Sequence, residues 1–116
     1  MIKKIDIPIY RGTLILVQKK DLNKLPKKYK PDFDMHGFDA CVFIKDAKNG
    51  FRNYIMTFRN PTNSRIIAHE SLHFMSELFK HTGVDIAYTN DEHGAYLIGW
   101  VVEQCHRYLE INDKTL

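Results

Sequence analysis

Apolar residues at positions 5, 7 and 9 alternate with Asp6, Pro8 and Tyr10, the period of two that turns one face of a strand toward a core. Pro8 cannot donate to a ladder, so an edge position is predicted for this strand. TLILVQ, residues 13–18, is a nearly continuous apolar run and predicts a second, more buried strand. ACVFIK (40–45) and FRNYIMTF (51–58) predict two more, with Asn49-Gly50 marking a hairpin turn between them. The period then lengthens. Asn60-Pro61-Thr62-Asn63-Ser64 stops the last strand and offers several N-cap residues. Ile66, Ile67, Phe74, Met75, Leu78 and Phe79 recur at helical spacing, so a helix is predicted to about Lys80, ending near Gly83. After a loop through residues 84–88, Asn90 can cap a second helix running to about Leu109. That helix is apolar over much of its girth and is expected to be largely buried.

Strands first and helices second predict an α+β domain. Residues 1–60 are expected to be mainly β, an antiparallel-rich sheet of about three to four strands. Residues 61–82 and 90–110 are expected as two long packed helices, all within one domain over residues 1–116. Neither a repeat nor a low-complexity tract interrupts this order.

Composition narrows the class. Hydrophobic residues at 44% and charged residues at 27% fit a globular domain with its own core. The apolar run over residues 95–102 is far too short to span a bilayer. Asp6, Pro8 and Arg11 interrupt the N-terminal segment, which does not read as a signal peptide. Cys41 and Cys105, with no secretory signal, are expected as free thiols in a cytoplasmic protein. The net charge of +3 hides an asymmetry: residues 1–30 hold nine Lys/Arg against two acids, and the rest of the chain is net −4. KKDLNKLPKKYK (19–30) has the charge to meet nucleic-acid phosphates. It lacks aromatic interleaving and any known fold signature, so a solvated loop or short helix is the preferred expectation.

The chemistry lies in RIIAHESLHF, residues 65–74. His69 and His73 stand four apart, one helical turn or about 6 Å along the axis, so both imidazoles aim at one point. Zinc accepts neutral imidazole nitrogens, and a catalytic site takes three protein ligands plus a water. Glu70, a third of a turn round from His69, is placed to act on that zinc-bound water as general base without being a ligand. The pattern arises by chance in roughly one such sequence per hundred, which leaves an amphipathic helix with two outward histidines as the rival reading. A third donor tips the balance. Glu92, 19 residues after His73 and opening the second helix, can return to the pair across an antiparallel helix turn. Alone it would be read as a first-turn acid favoured by the helix dipole. His93 is a weaker alternative. Gly99, on the Glu92 face, would allow close helix packing. A metzincin would need Gly and His at positions now held by Ser76 and Phe79.

HESLHF followed by DEHGAYLIGWVVEQ, on a short strand-rich N-terminal half, resembles the gluzincin metallopeptidases, and more narrowly the small single-domain minigluzincin-like proteins of bacteria and phages. The likeness covers most of the chain, with its motifs confined to residues 65–103. It implies a zincin-like fold and a zinc ion held by His69, His73 and Glu92. It implies peptide hydrolysis with Glu70 as general base, and an extended peptide or protein substrate lying along FRNYIMTF as a sheet edge. A phage-encoded member would work in the host cytoplasm. Where many members carry an acid four residues after the ligand glutamate, this chain has Tyr96, which cannot accept an imidazole N–H with full charge. Tyr88, His93, Tyr96 and Tyr54 are candidates for transition-state stabilisation. Self-inhibited members exist, so a catalytically inert zincin that binds a host protein is the alternative expectation, and nucleic-acid binding a more distant one.

Overall fold

Prolines, glycines and short polar runs cut the first half of the chain into strands. The computed structural model describes residues 1–34, 37–47, 50–85 and 91–112, with backbone alone at 111 and 112. The chain is α+β, a four-stranded mixed sheet followed by two long helices. It divides into two compact units, Met1–Thr62 and Asn63–Leu116, at the point where alternating hydrophobicity gives way to helical spacing.

In the first unit β1 (Lys3–Asp6), β2 (Thr13–Gln18), β3 (Ala40–Asp46) and β4 (Arg52–Phe58) lie in the order β1-β2-β4-β3. β1 is an edge strand, as Pro8 predicted, but it stops at Asp6. Pro8 has no N–H to continue the ladder. The Tyr10 N–H donates to the Pro8 carbonyl at 2.6 Å, a tight turn that leaves Ile9 at φ 67° and 96% exposed rather than in strand alternation. Gly12 opens β2 at φ 136°, where a Cβ would come within 2.9 Å of the Arg52 carbonyl oxygen. β3 and β4 form the predicted hairpin, closed by the Ala47 N–H on the Phe51 carbonyl at 2.8 Å. Asn49 of the predicted turn lies outside the described residues.

β4 is an interior strand. β2 runs parallel along one side, from Thr13 beside Asn53 to Gln18 beside Phe58, and β3 runs antiparallel along the other. Both rows of its backbone groups are engaged in ladders, so residues 52–58 offer no free edge. The expected seat for an extended peptide along this strand is therefore corrected: the open edges belong to β1 and β3.

One face of the sheet carries Ile15, Val17, Phe43 and Ile55, packed with Leu25 and Tyr29 from the segment that follows β2. Burying each such side chain contributes roughly 1.5–3 kcal/mol. The basic stretch is thus two 3-10 turns, Lys19–Lys24 and Lys27–Tyr29, pinned by these two side chains, with Lys20, Lys24, Lys27, Lys28 and Lys30 exposed. Burial alone would raise the Tyr29 phenol, but hydrogen bonds and charge from Lys4 and Lys28 hold it below its usual value.

The second unit packs α1 (Ser64–Thr82) against α2 (Glu92–Asn112). From the predicted run of capping residues the fold selects Asn63, whose Oδ1 accepts from the Ile66 N–H at 3.0 Å. Gly83 ends the helix at φ 75°, a conformation that costs a residue without Cβ little, and the Val84 N–H closes on the Phe79 carbonyl at 3.0 Å. The α1 stripe of Ile67, Glu70, Ser71, Phe74, Met75, Leu78 and Phe79 is buried. α2 is narrower in its burial than its composition predicts. Gly94, Leu97, Val101, Cys105, Tyr108 and Leu109 are buried, Ile98, Trp100 and Val102 half-buried, and Tyr96 is 76% exposed. A Cβ on Gly99 would meet nothing within 4 Å, so close packing is not its role. Among the described residues no helix is long and apolar enough to cross a membrane. Neither Cys41 nor Cys105 is in a disulfide bond.

Candidate metal centre

Four residues apart on α1, the rings of His69 and His73 converge. Their Nε2 atoms lie 3.2 Å apart, with ring centroids 4.8 Å apart and planes at 75°. Both rings face solvent, the His69 side chain being 67% exposed. The chemistry of the pair depends on where its protons sit. If one ring carries its proton on Nε2, the two share an N–H···N bond. If both carry it on Nδ1, two lone pairs point at the same place. Two zinc–nitrogen bonds of about 2.0–2.1 Å spanning 3.2 Å would enclose roughly 100–105°, close to tetrahedral. That spacing is the one two corners of a tetrahedral site would need.

Glu70 sits at the border between this exposed pair and the buried stripe of α1. It is only 8% exposed, on the same stripe as Ile67, Ser71 and Phe74. Its Oε1 is 4.0 Å from His69 Nε2, beyond hydrogen-bond reach and close enough to feel an imidazolium or a cation at the pair. Next to it, the Ser71 Oγ is buried without a hydrogen-bond partner among the described residues. A glutamate here has an apolar wall on one side and the imidazoles on the other. It can hold or release a proton near whatever the histidines hold.

The remaining candidates are less concentrated. Glu92 is the first residue of α2 and is exposed, as is His93 beside it. Among the described residues no group of three or more His, Cys, Asp or Glu side chains is gathered as a metal would require, so the structure brings together His69 and His73 and leaves Glu92 apart. Tyr96 projects into solvent, and Tyr54 is buried within β4 of the N-terminal unit. Tyr88 and the predicted cap Asn90 lie outside the described residues. Compared with known protein families, curated proteins and solved structures, the chain matches none.

Proposed function

We propose that the C-terminal unit is a zincin-like metal centre and that the chain is a zinc-dependent metallopeptidase. The supporting observation is the 3.2 Å approach of His69 and His73 Nε2 directly beside a buried glutamate. His69 and His73 would hold the ion. Glu92 would complete the ligand set from the first turn of α2, a helix packed on α1, and a carboxylate there complements two neutral imidazoles in charge. When bound, zinc supplies Lewis-acid polarisation and a water acidified to a pKa of about 7. The remaining steps belong to the chain's own groups. Glu70 takes a proton on its carboxylate as water attacks the peptide carbonyl, and returns it to the departing amine. Tyr96, His93 and Tyr88 remain the candidates to donate to the developing oxyanion.

A second reading has its own support. The structure gathers two donors rather than three, and Tyr96 stands where a bracing carboxylate is common. Both features suit a zincin-like protein that binds a partner protein without turnover.

The test is cleavage of a broad peptide library by the zinc-loaded full chain, compared with Glu70→Gln. The amide is nearly isosteric but cannot take the proton, so activity should fall by roughly 10²-fold or more while zinc content is unchanged. Parental activity in Glu70→Gln would remove the general-base role. Zinc binding by a parent that cleaves nothing would give the lead to the binding reading.

A further inference from the structure

The two edges of the sheet are built differently. β1 is four residues long, carries Lys3, Lys4 and Asp6, and ends two residues before Pro8. Shortness, charge and proline are the devices that keep an edge strand from pairing with another chain. β3 reads ACVFIKD, seven residues without proline. Its register against β4 is unbroken from Ala40 beside Phe58 to Asp46 beside Arg52, so no bulge bends it away. In an antiparallel ladder alternate residues turn both backbone groups toward the partner strand, and the rest turn both away. Just beyond the two ends of β3, the Arg59 N–H donates to the Asp39 carbonyl at 2.7 Å and the Ala47 N–H to the Phe51 carbonyl at 2.8 Å. The odd-numbered residues therefore face β4, and Ala40, Val42, Ile44 and Asp46 present their N–H and C=O groups outward. Among the described residues no backbone bond from another segment reaches these four. The Val42 carbonyl takes a weak donor, the thiol of Cys41 at 3.5 Å.

We propose that β3 pairs antiparallel with β3 of a second copy of the chain, about a two-fold axis at Phe43, so that two four-stranded sheets become one. The strand is self-complementary in that register. Ala40 faces Asp46 of the second copy, Cys41 faces Lys45, Val42 faces Ile44, and Phe43 faces its own equivalent. Outward residues meet outward residues, which allows about eight N–H···O bonds across the axis. No two like charges oppose each other. On one face the two Phe43 rings adjoin, and on the other Val42 and Ile44, both half-buried, form two β-branched pairs. Phe33 is exposed and stands edge-on to Phe43, with ring centroids 5.8 Å apart, so it adds apolar area beside the axis. A two-fold contact of this kind closes on itself, and the blunted β1 edge stops the assembly at two copies. The pairing needs no metal, so it stands or falls apart from the zinc centre.

The metal-free full chain and Ile44→Pro are compared by size exclusion with light scattering. Proline at position 44 removes an N–H that β4 does not use, so the hairpin ladder survives while the outer edge is broken; circular dichroism checks the fold. A cross-link tests the register and decides the matter should that variant not fold. Lys45→Cys places a thiol opposite Cys41 of the second copy, at a Cα separation of about 4.5 Å, within disulfide range. Within one strand positions 41 and 45 are about 13 Å apart and cannot bridge. Oxidised glutathione supplies the oxidant, and non-reducing electrophoresis reads the product. A parent mass near twice the 13.6 kDa of the chain, a halved mass for Ile44→Pro, and a linked dimer of Lys45→Cys that disappears with Cys41→Ser support the proposal. A parent that is monomeric at the highest concentration reached overturns it, including one whose edge takes up another protein instead. A folded Ile44→Pro that stays dimeric, or a dimeric parent whose Lys45→Cys form yields no linked dimer, overturns it equally.

Discussion

Glu70 occupies a position that packing alone would give to leucine. Its neighbours on the stripe are Ile67 and Phe74, and it is buried with them. A carboxylate held there costs stability unless a charge nearby compensates, and the imidazole 4.0 Å away does so only when protonated or occupied by a cation. Glu70→Leu should accordingly raise the melting temperature of the metal-free chain, by an amount equivalent to about 1 kcal/mol, while abolishing turnover. A lower melting temperature would mean that the carboxylate is structural. Cys105 makes the opposite case. It lies wholly inside the α2 stripe, and burial pushes its thiol up to about 12. The native thiol should resist alkylation at pH 8 and react only on unfolding. The unfolded thiol ionises near 9, so the unfolded chain binds fewer protons between 9 and 12, and this group withdraws stability as pH rises through that window. Rapid labelling of Cys105 in the folded chain would contradict its placement.

The helix α1 carries both histidines four residues apart, so they share a face wherever this stretch is helical. Asn63 caps the Ile66 N–H, and Asn63→Ala should cost about 1 kcal/mol in a denaturant titration without changing the end state. No loss would mean that another residue of the 60–64 run takes over the cap. The capping run, the helical spacing and the Gly83 stop were all legible in the sequence because they act over a few residues. The same is true of β2, β3 and β4, each of which follows from a short apolar run between turn residues. What was not legible was pairing. The sequence of β4 is compatible with an edge or a centre, and only the parallel ladder with β2 makes it interior. Nor could the burial of α2 be read off: apolar residues cover most of its girth, but Tyr96 and Gly99 face outward while Leu97, Val101, Cys105 and Tyr108 form the buried stripe. His69, Glu70 and His73 were visible as a local pattern. Glu92 depends on the path of residues 83–91, which no local spacing specifies.

At the scale of the whole chain, charge and chemistry are partitioned. The N-terminal unit is basic, while the C-terminal unit is acidic and carries the histidine pair. An acidic unit lowers the cost of holding a divalent cation. The proposed metal centre requires that the helical unit hold zinc through its histidines. Titration of zinc into the metal-free full chain by calorimetry, with His73→Ala and Glu92→Ala in parallel, addresses it most directly. Binding of about one zinc per chain is predicted, weakened by roughly 10²-fold or more in both variants. Binding by Glu92→Ala equal to that of the parent would remove the third ligand alone. A parent that takes up no zinc, or a His73→Ala chain that binds it as tightly as the parent, would contradict the metal centre itself.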